Sequence, residues 1–270
     1  MGRAQRDWAN ALSAWAIPDE ILEQAPESPW GFPVALFTPD EHILHHADNP
    51  SSRAALASLP PAGSVLDVGS GPGAPSLPLA ARAGSITAVD QSRDMLDSFA
   101  SAAERLGVRH EEVQGTWPDV ASDVGPHDVV VCHHVFYNVA DLGPFVIELT
   151  RHARRRVVVE ITATHPAANL KKLWRHFHNL ERPTGPGYAD AVAVLEEIGI
   201  APSVERWTRP NRRASAPRAE VVAFARRRLC LPAERDREID AVLDDQMAWA
   251  PTELVTLSWP GEHTSKETES

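Results

Sequence analysis

Cysteine is scarce in this chain: Cys132 and Cys230 are the only two among 270 residues, and they lie far apart in apolar surroundings. Two distant cysteines cannot supply the disulfide framework of a small secreted protein, so we expect buried, reduced thiols. The first ten residues are polar and lack the apolar segment of a signal peptide. No apolar run reaches the roughly 20 residues that a membrane-spanning helix needs. These absences predict a cytoplasmic protein that does not bind a membrane.

Positive charge is also in short supply. The 26 lysines and arginines are outnumbered by 37 acidic residues, which gives a formal net charge of −11. An acidic chain is repelled by phosphate backbones, so we expect no DNA partner and regard RNA as an unfavourable one. None of the twelve histidines shows the i, i+4 spacing with a supporting acid that is typical of a helical zinc site. We therefore expect no metal ion.

Short apolar runs alternate with helical stretches through the middle of the chain. The runs are rich in β-branched residues and cover 65–68, 86–89, 129–132 and 157–161, with a weaker candidate at 109–114. Helical patterns lie between them, at 77–83, 93–106 and 142–152. Near-continuous apolar strands separated by helices are typical of a parallel sheet with helices on both faces. The pattern predicts an α/β fold with a doubly wound sheet.

Residues 1–50 are predicted to form an N-terminal helical or lid segment. Its proline-rich loop carries Trp30, Phe32 and Phe37, which either cover the ligand site or pack the N-terminal helices onto the core. The aromatic residues at both ends of the chain would suit the wall of a small-molecule pocket. The same residues would equally suit the interface of a homodimer.

The C-terminal part is predicted to complete the main domain, which spans residues 51–260. Its two closing strands, 203–208 and 254–259, are separated by a helical insertion at about 214–250. The last ten residues, 261–270, are polar and are expected to be a disordered tail.

A glycine-rich loop follows the first strand, with glycines at positions 69, 71 and 73. Glycine allows a positive φ and a close approach of the backbone to a ligand. The helical pattern that begins at Ser76 would then offer the free amides of a helix N-terminus. A strand, a glycine loop and a helix start in this order predict a nucleotide-type ligand site.

Two acids indicate which ligand the loop holds. Asp90 ends the second strand about twenty residues after the loop, where an acid accepts hydrogen bonds from ribose hydroxyls. Asp67 lies two residues before Gly69, where it would repel a pyrophosphate and suit a cationic ligand. A nicotinamide dinucleotide site stays open, because Gly69-x-Gly71-x-x-Ala74 satisfies the loose form of that fingerprint.

Three motifs together resemble class I S-adenosylmethionine-dependent methyltransferases: Val-Leu-Asp-Val-Gly-Ser-Gly-Pro-Gly at 65–73, Ala-Val-Asp-Gln-Ser at 88–92, and the fourth-strand region 128–141. The resemblance implies a Rossmann-like sheet, mostly parallel with an antiparallel last strand, and S-adenosyl-L-methionine as cofactor. For the cofactor it implies Asp67, Gly69, Gly71, Gly73, Asp90, Gln91 and Met95 as binding residues, and His133 after the fourth strand is a further candidate. The region after the third strand departs from the family pattern, because many members have an acid just after a glycine where this chain has Gly-Thr-Trp-Pro-Asp at 115–119. Thr116, through its hydroxyl, and Trp117, through stacking, are the candidate adenine contacts there. Trp117 could equally be ordinary core.

The predicted reaction is methyl transfer to a small molecule, with oxygen slightly favoured over nitrogen. The candidate catalytic residues follow the fourth and fifth strands and are His133, His134, Tyr137 and His165. An imidazole titrates near neutrality and suits a base for a hydroxyl acceptor. We expect one of the adjacent histidines to point away from the site, and Glu160 to be a neighbour of the cofactor or a structural acid. A protein or tRNA acceptor, and a non-catalytic cofactor-binding role, remain alternatives.

Overall fold

A seven-stranded sheet lies at the centre of the computed structural model, which describes residues 1–30, 48–209, 217–243 and 252–262. In chain order the strands are β1 (Gly63–Val68), β2 (Ala83–Asp90), β3 (Arg109–Gln114), β4 (His127–His133), β5 (Ala153–Thr162), β6 (Ser203–Arg209) and β7 (Thr252–Pro260). Their order across the sheet is β3-β2-β1-β4-β5-β7-β6. Strands β1 to β5 pair in parallel, whereas β7 runs antiparallel to both β5 and β6. The predicted sheet, including its antiparallel last strand, is confirmed.

The central strands carry unbroken apolar runs because both faces of the sheet are covered there. Val129, Val130 and Val131 of β4 are all fully buried or nearly so. Since β1 pairs with β2 on one side and with β4 on the other, the direction in which strands are added reverses at β1. Ligands in open α/β sheets bind at such a point, beyond the carboxyl ends of the strands.

Helices cover both faces of the sheet. In chain order they are α1 (Arg3–Ser13), α2 (Asp19–Leu22), α3 (Pro50–Ser58), α4 (Arg93–Leu106), α5 (Leu142–Arg151), α6 (Lys171–His178), α7 (Tyr188–Glu197), α8 (Arg218–Arg228) and α9 (Asp236–Val242). Helices α1, α5 and α7 contribute to one core cluster, and α3 and α4 to another. A third cluster joins α6, α8 and α9 with Ile17 near the N-terminal end. The helices between β6 and β7 match the predicted insertion.

Two predicted helices are shorter than expected. The stretch after the glycine loop forms only a 3₁₀ turn at Leu77–Leu79, and β2 begins at Ala83. Pro75 and Pro78 explain this, because a proline lacks the amide that a continuing helix needs. The expected helix N-terminus beside the glycine loop is therefore wrong. In the stretch 166–181, apolar residues at 170, 173, 174 and 177 share one helical face and predict a helix. The structure has a 3₁₀ turn at Pro166–Leu170 followed by α6.

The N-terminal segment is attached to the main domain by hydrogen bonds at α1. The amides of Ala4 and Gln5 donate to the carboxylate of Glu197 in α7, at 2.9 and 3.1 Å. The indole of Trp8 donates to the Val139 carbonyl, and Trp8 is buried in the core. The domain division near residue 50 stays a prediction.

Some predictions concern residues outside those that the structure describes. These are the positions of Phe32 and Phe37 and most of the predicted disordered tail at 261–270, of which the structure describes only Gly261 and Glu262. Gly261 is buried, and its amide donates to the Arg155 carbonyl at 3.0 Å. Among the described residues, the longest and most apolar helices still fall short of what is needed to cross a membrane.

Candidate functional site

A cavity of about 1250 Å³ opens at the carboxyl ends of β1, β2, β4 and β5. This exceeds the roughly 300–1,000 Å³ of typical pockets for one small ligand. Its walls come from the glycine loop, from the residues that follow β2, β4 and β5, and from the end of the N-terminal segment. The cavity therefore has room for two small molecules side by side.

The glycine loop lines one wall of this cavity. Gly69 has a φ of +69°, and its amide donates to the Val89 carbonyl at 2.8 Å. A Cβ at Gly69 would lie 2.4 Å from Cγ2 of Val135, so a larger residue would displace that side chain. Gly71, with a φ of +51°, has nothing within 4 Å of the position that its Cβ would take. The backbone at Gly71 thus faces open space that a ligand can fill.

Asp90 holds the glycine loop in place through its side chain. Its two carboxylate oxygens accept hydrogen bonds from the amides of Gly71 and Ser92, each at 2.9 Å. A carboxylate oxygen has a second lone pair. Because Asp90 also borders the cavity, it can bind two hydroxyl groups there while it keeps the loop closed.

A buried carboxylate, Glu160 of β5, lies at another wall and is 3% exposed. Ser51 donates to it at 2.8 Å, Nε2 of His134 lies 3.1 Å from Oε1, and Nδ1 of His133 lies 3.9 Å from Oε2. Nη1 of Arg209, the last residue of β6, lies 3.4 Å from Oε1. Burial alone would raise the pKa of Glu160, but His133, His134 and Arg209 together hold it well below its ordinary value.

Both histidines border the cavity and approach Glu160, so the expectation that one of them points away is wrong. His134 has a φ of +62°, and its backbone amide donates to the Glu160 carbonyl at 2.7 Å. A left-handed conformation in a non-glycine residue costs of order 1 kcal/mol and occurs often at functional sites. His134 thus contacts Glu160 twice, through its backbone amide at the main-chain carbonyl and through its ring at the carboxylate.

A family model described as a methyltransferase domain matches residues 65–156, which include the glycine loop, Asp90 and His134. These residues therefore form a methyltransferase domain. The cofactor of this family is S-adenosylmethionine. The matched residues run from β1 into β5. They therefore include the glycine loop and the carboxyl ends of β1, β2 and β4, which border the cavity.

Curated relatives of this chain are named methyltransferases, and solved structures share its fold. A ubiquinone biosynthesis O-methyltransferase of Rickettsia akari is 31% identical over 90 residues, which are 33% of this chain and only 36% of that protein. One of the same name from Caulobacter vibrioides is 26% identical over 75% of this chain and 93% of its own length. The crystal structure of the YcgJ protein from Bacillus subtilis has a TM-score of 0.54 at 17% identity, covering 82% of this chain and 99% of that one. The last likeness concerns the fold alone.

Seven of the ten predicted cofactor residues border the cavity, and three do not. Those that border the cavity are Gly69, Gly71, Asp90, Gln91, Thr116, Trp117 and His133. Gly73, Met95 and Asp67 do not. Gly73 packs against Leu77 and Phe99 instead, where a Cβ would lie within 2.7 Å of both. The cofactor roles of all ten stay predictions.

Asp67 is fully buried beside the methyltransferase glycine loop. The Ser76 hydroxyl donates to its Oδ2 at 2.5 Å, and its Oδ1 has no hydrogen-bond partner among the described residues. Burial raises the pKa of Asp67 to about 7, the negative charge of Asp90 adds to this, and the bond from Ser76 opposes it. The carboxyl is thus held below the surface of the cavity.

Trp117 is both core and cavity wall. It is 6% exposed, its indole donates to the Phe145 carbonyl at 3.4 Å, and its ring meets His152 edge to face. Thr116, by contrast, is exposed and borders the cavity.

The other two candidate catalytic residues, Tyr137 and His165, each make a hydrogen bond with the backbone. The Tyr137 hydroxyl donates to the Thr162 carbonyl at 2.8 Å, and burial raises its pKa above the ordinary value. Nδ1 of His165 accepts from the Ala167 amide at 3.3 Å. Burial, helped by the charge of Arg182, lowers the pKa of His165 to about 4. Both border the cavity, but neither is paired with a carboxylate of the described residues as His134 is with Glu160.

Sequence reasoning missed Ser51 and Arg209. Arg209 ends β6, which runs parallel to β5, and this position at a carboxyl end of a strand is the signal that could have found it. Within 1–30, 48–209, 217–243 and 252–262, no three His, Cys, Asp or Glu residues are placed to hold a metal ion. The expected absence of a metal stays a prediction.

Proposed function

We propose that this protein transfers a methyl group from S-adenosylmethionine to a small-molecule acceptor, and that the acceptor atom is oxygen rather than nitrogen. One observation carries the proposal: a single cavity joins the glycine loop and Asp90 to the His134–Glu160 pair. The first group of residues suits the methyl donor, and the second suits an acceptor that must lose a proton. The curated relatives named as O-methyltransferases favour the same acceptor atom.

The residues of the glycine wall fit the cofactor. The open space in front of Gly71 leaves room for a ligand to lie against the backbone. Asp90 has lone pairs left for the two ribose hydroxyls, and Gln91 and Thr116 border the same cavity. When bound, the cofactor supplies an electrophilic methyl group on a sulfonium centre.

His134 is the best-placed base in this cavity. Its Nε2 lies 3.1 Å from Oε1 of Glu160, so in the tautomer with the proton on Nε2 this nitrogen donates to the carboxylate and fixes the ring. A carboxylate beside one ring nitrogen orients an imidazole and stabilises its protonated form. The ring can therefore take a proton from an acceptor hydroxyl at its other nitrogen, while Glu160 stays ionised.

The remaining contribution of the protein is to hold the acceptor and exclude water. Methyl transfer is an in-line displacement, and its rate depends on alignment and on a dry site. Trp15, Trp174 and Phe224 line the cavity and supply apolar surface for this. We propose that the partners are small molecules and that DNA and RNA are not substrates.

The test has two parts. Calorimetry with S-adenosylhomocysteine should show binding, and Asp90→Ala should weaken it by about 1–3 kcal/mol, because the ribose hydroxyls lose a charged acceptor. Asp94→Ala, which removes an exposed acid from the first turn of α4, is the matched control and should bind like the wild type.

The second part is turnover. Incubation with methyl-labelled S-adenosylmethionine and a panel of phenols, carboxylic acids and amines should label a hydroxyl-bearing compound, detected by mass spectrometry. Thermal stabilisation by NAD and not by S-adenosylhomocysteine would refute the proposal. Binding of S-adenosylhomocysteine without labelling of any acceptor would instead indicate a non-catalytic role.

A further inference from the structure

An arginine lies among the aromatic side chains that wall the cavity. Arg182, between α6 and α7, is 9% exposed. Its guanidinium carbon lies 5.2 Å from the ring centroid of Trp15 and 4.9 Å from that of Trp174. All three residues border the cavity, as does His165, whose ring stacks on Trp15 at 4.0 Å. An arginine in this position is part of the acceptor wall.

The positive charge of Arg182 is not neutralised by any acid in the described part of the chain. Nη1 donates to the Ala16 carbonyl at 3.0 Å and Nη2 to the Trp15 carbonyl. Its Nε is buried and has no hydrogen-bond partner among the described residues. Burial lowers the pKa of Arg182, but a guanidinium still stays protonated. A charge in this state is costly unless something compensates it.

The guanidinium carries five N–H donors in a planar fork, and the two carbonyl oxygens accept from only two of them. We propose that Arg182 binds an anionic group, most simply a carboxylate, on an aromatic methyl acceptor whose ring lies against Trp15 and Trp174. This rests on the proposed function, because it names the acceptor of that same site. A carboxylate would supply the missing counter-charge through charge-assisted hydrogen bonds.

The same geometry disfavours a cationic acceptor. Indole rings bind cations through their faces, but the guanidinium of Arg182 already contacts the rings of both Trp15 and Trp174. A second positive charge placed there would be repelled by the arginine. The aromatic residues of this wall thus hold the arginine in place instead of forming a cage for an ammonium group.

The experiment compares three probes of one shape and different charge, namely phenylacetate, phenylacetamide and phenethylamine. Binding to the wild-type protein saturated with S-adenosylhomocysteine is measured by calorimetry. Phenylacetate should bind at least about tenfold more tightly than phenylacetamide, and phenethylamine most weakly. Arg182→Met should remove the preference for the anion without changing the affinity for S-adenosylhomocysteine. Arg175→Met, which removes an exposed arginine of α6, is the matched control and should keep the preference.

Three results would overturn the inference: no binding of phenylacetate, equal binding of the three probes to the wild type, or an unchanged preference in Arg182→Met. If Arg182→Met does not fold, Arg182→Lys takes its place. Lysine keeps the positive charge and should keep part of the preference for phenylacetate. The comparison therefore does not depend on the folding of one variant. Failure of the proposed function would give a different result. S-adenosylhomocysteine would not bind, but the preference for phenylacetate would persist when it is measured in the absence of S-adenosylhomocysteine.

Discussion

Asp67 makes the stability of the folded protein depend on pH in an unusual direction. Its pKa is raised from 3.8 to about 7 in the folded state, chiefly by burial. Between these values the folded protein binds more protons than the unfolded chain, so its free energy of unfolding falls as the pH rises. At about 1.36 kcal/mol for each pKa unit, a rise of about three units corresponds to about 4 kcal/mol lost between pH 4 and pH 8.

Asp67→Asn should remove this dependence, because asparagine does not ionise. Below about pH 5 the variant should be less stable than the wild type by about 1–3 kcal/mol, since the amide brings a buried donor that lacks a partner. Above about pH 7 it should equal or exceed the wild type. Urea unfolding of both proteins from pH 4.5 to pH 8 measures the difference at each pH.

Asp97→Asn is the control for this comparison, because Asp97 is an exposed acid on α4. Its difference from the wild type should stay constant over the same pH range. A difference between wild type and Asp67→Asn that is also constant with pH would refute the account of Asp67 as a carboxyl whose ionisation opposes folding.

Three further outcomes are expected. Gly69→Ala should destabilise the fold by about 1–3 kcal/mol in urea unfolding, because the left-handed φ and the contact with Val135 both oppose the new methyl group. An unchanged urea midpoint would contradict this. Glu160→Gln should lower kcat by about 10²-fold, because the residue that supports the general base is lost, while the calorimetric affinity for S-adenosylhomocysteine stays within a few-fold. Equal losses of kcat and of this affinity would show that the substitution disrupts the structure of the whole site. Glu197→Ala should speed amide exchange at Ala4 and Gln5, which lose their acceptor, and unaltered protection at α1 would show that other contacts hold it.

The parts of the fold that sequence reasoning predicted well are those with a strong local pattern. Runs such as Val129–Cys132 are apolar at every position because the strand is covered on both faces, and this holds wherever the strand pairs. The glycine loop is similarly local, since Gly69 and Gly71 need their left-handed φ within a few residues of β1. Such features require no knowledge of distant residues.

The candidate site was harder to predict because its contacts are long-range. Glu160 meets Ser51 and Arg209, which lie 109 and 49 residues away in the chain. Only the placement of β6 and α3 relative to β5 brings these groups together. Arg182 reaches the carbonyls of Trp15 and Ala16 across more than 160 residues in the same way. Composition and spacing do not indicate such long-range contacts, whereas His133 and His134 could be found from their position at the end of β4 alone.

The place of β7 in the sheet has a consequence for how the site comes into being. It is the last of the seven strands along the chain, yet it lies between β5 and β6. Thr256 of β7 stands opposite both Glu160 and Glu205, bonds to Ser51 at 2.8 Å, and accepts from the Trp207 indole at 3.1 Å.

Until residues 252–260 have been synthesised, β5 has a free edge and β6 has no strand beside it. The glycine loop, made of β1, β2 and the turn between them, needs none of this. During synthesis, the half of the cavity suited to the methyl donor can therefore form first, whereas the half suited to the acceptor is closed only when β7 has been made.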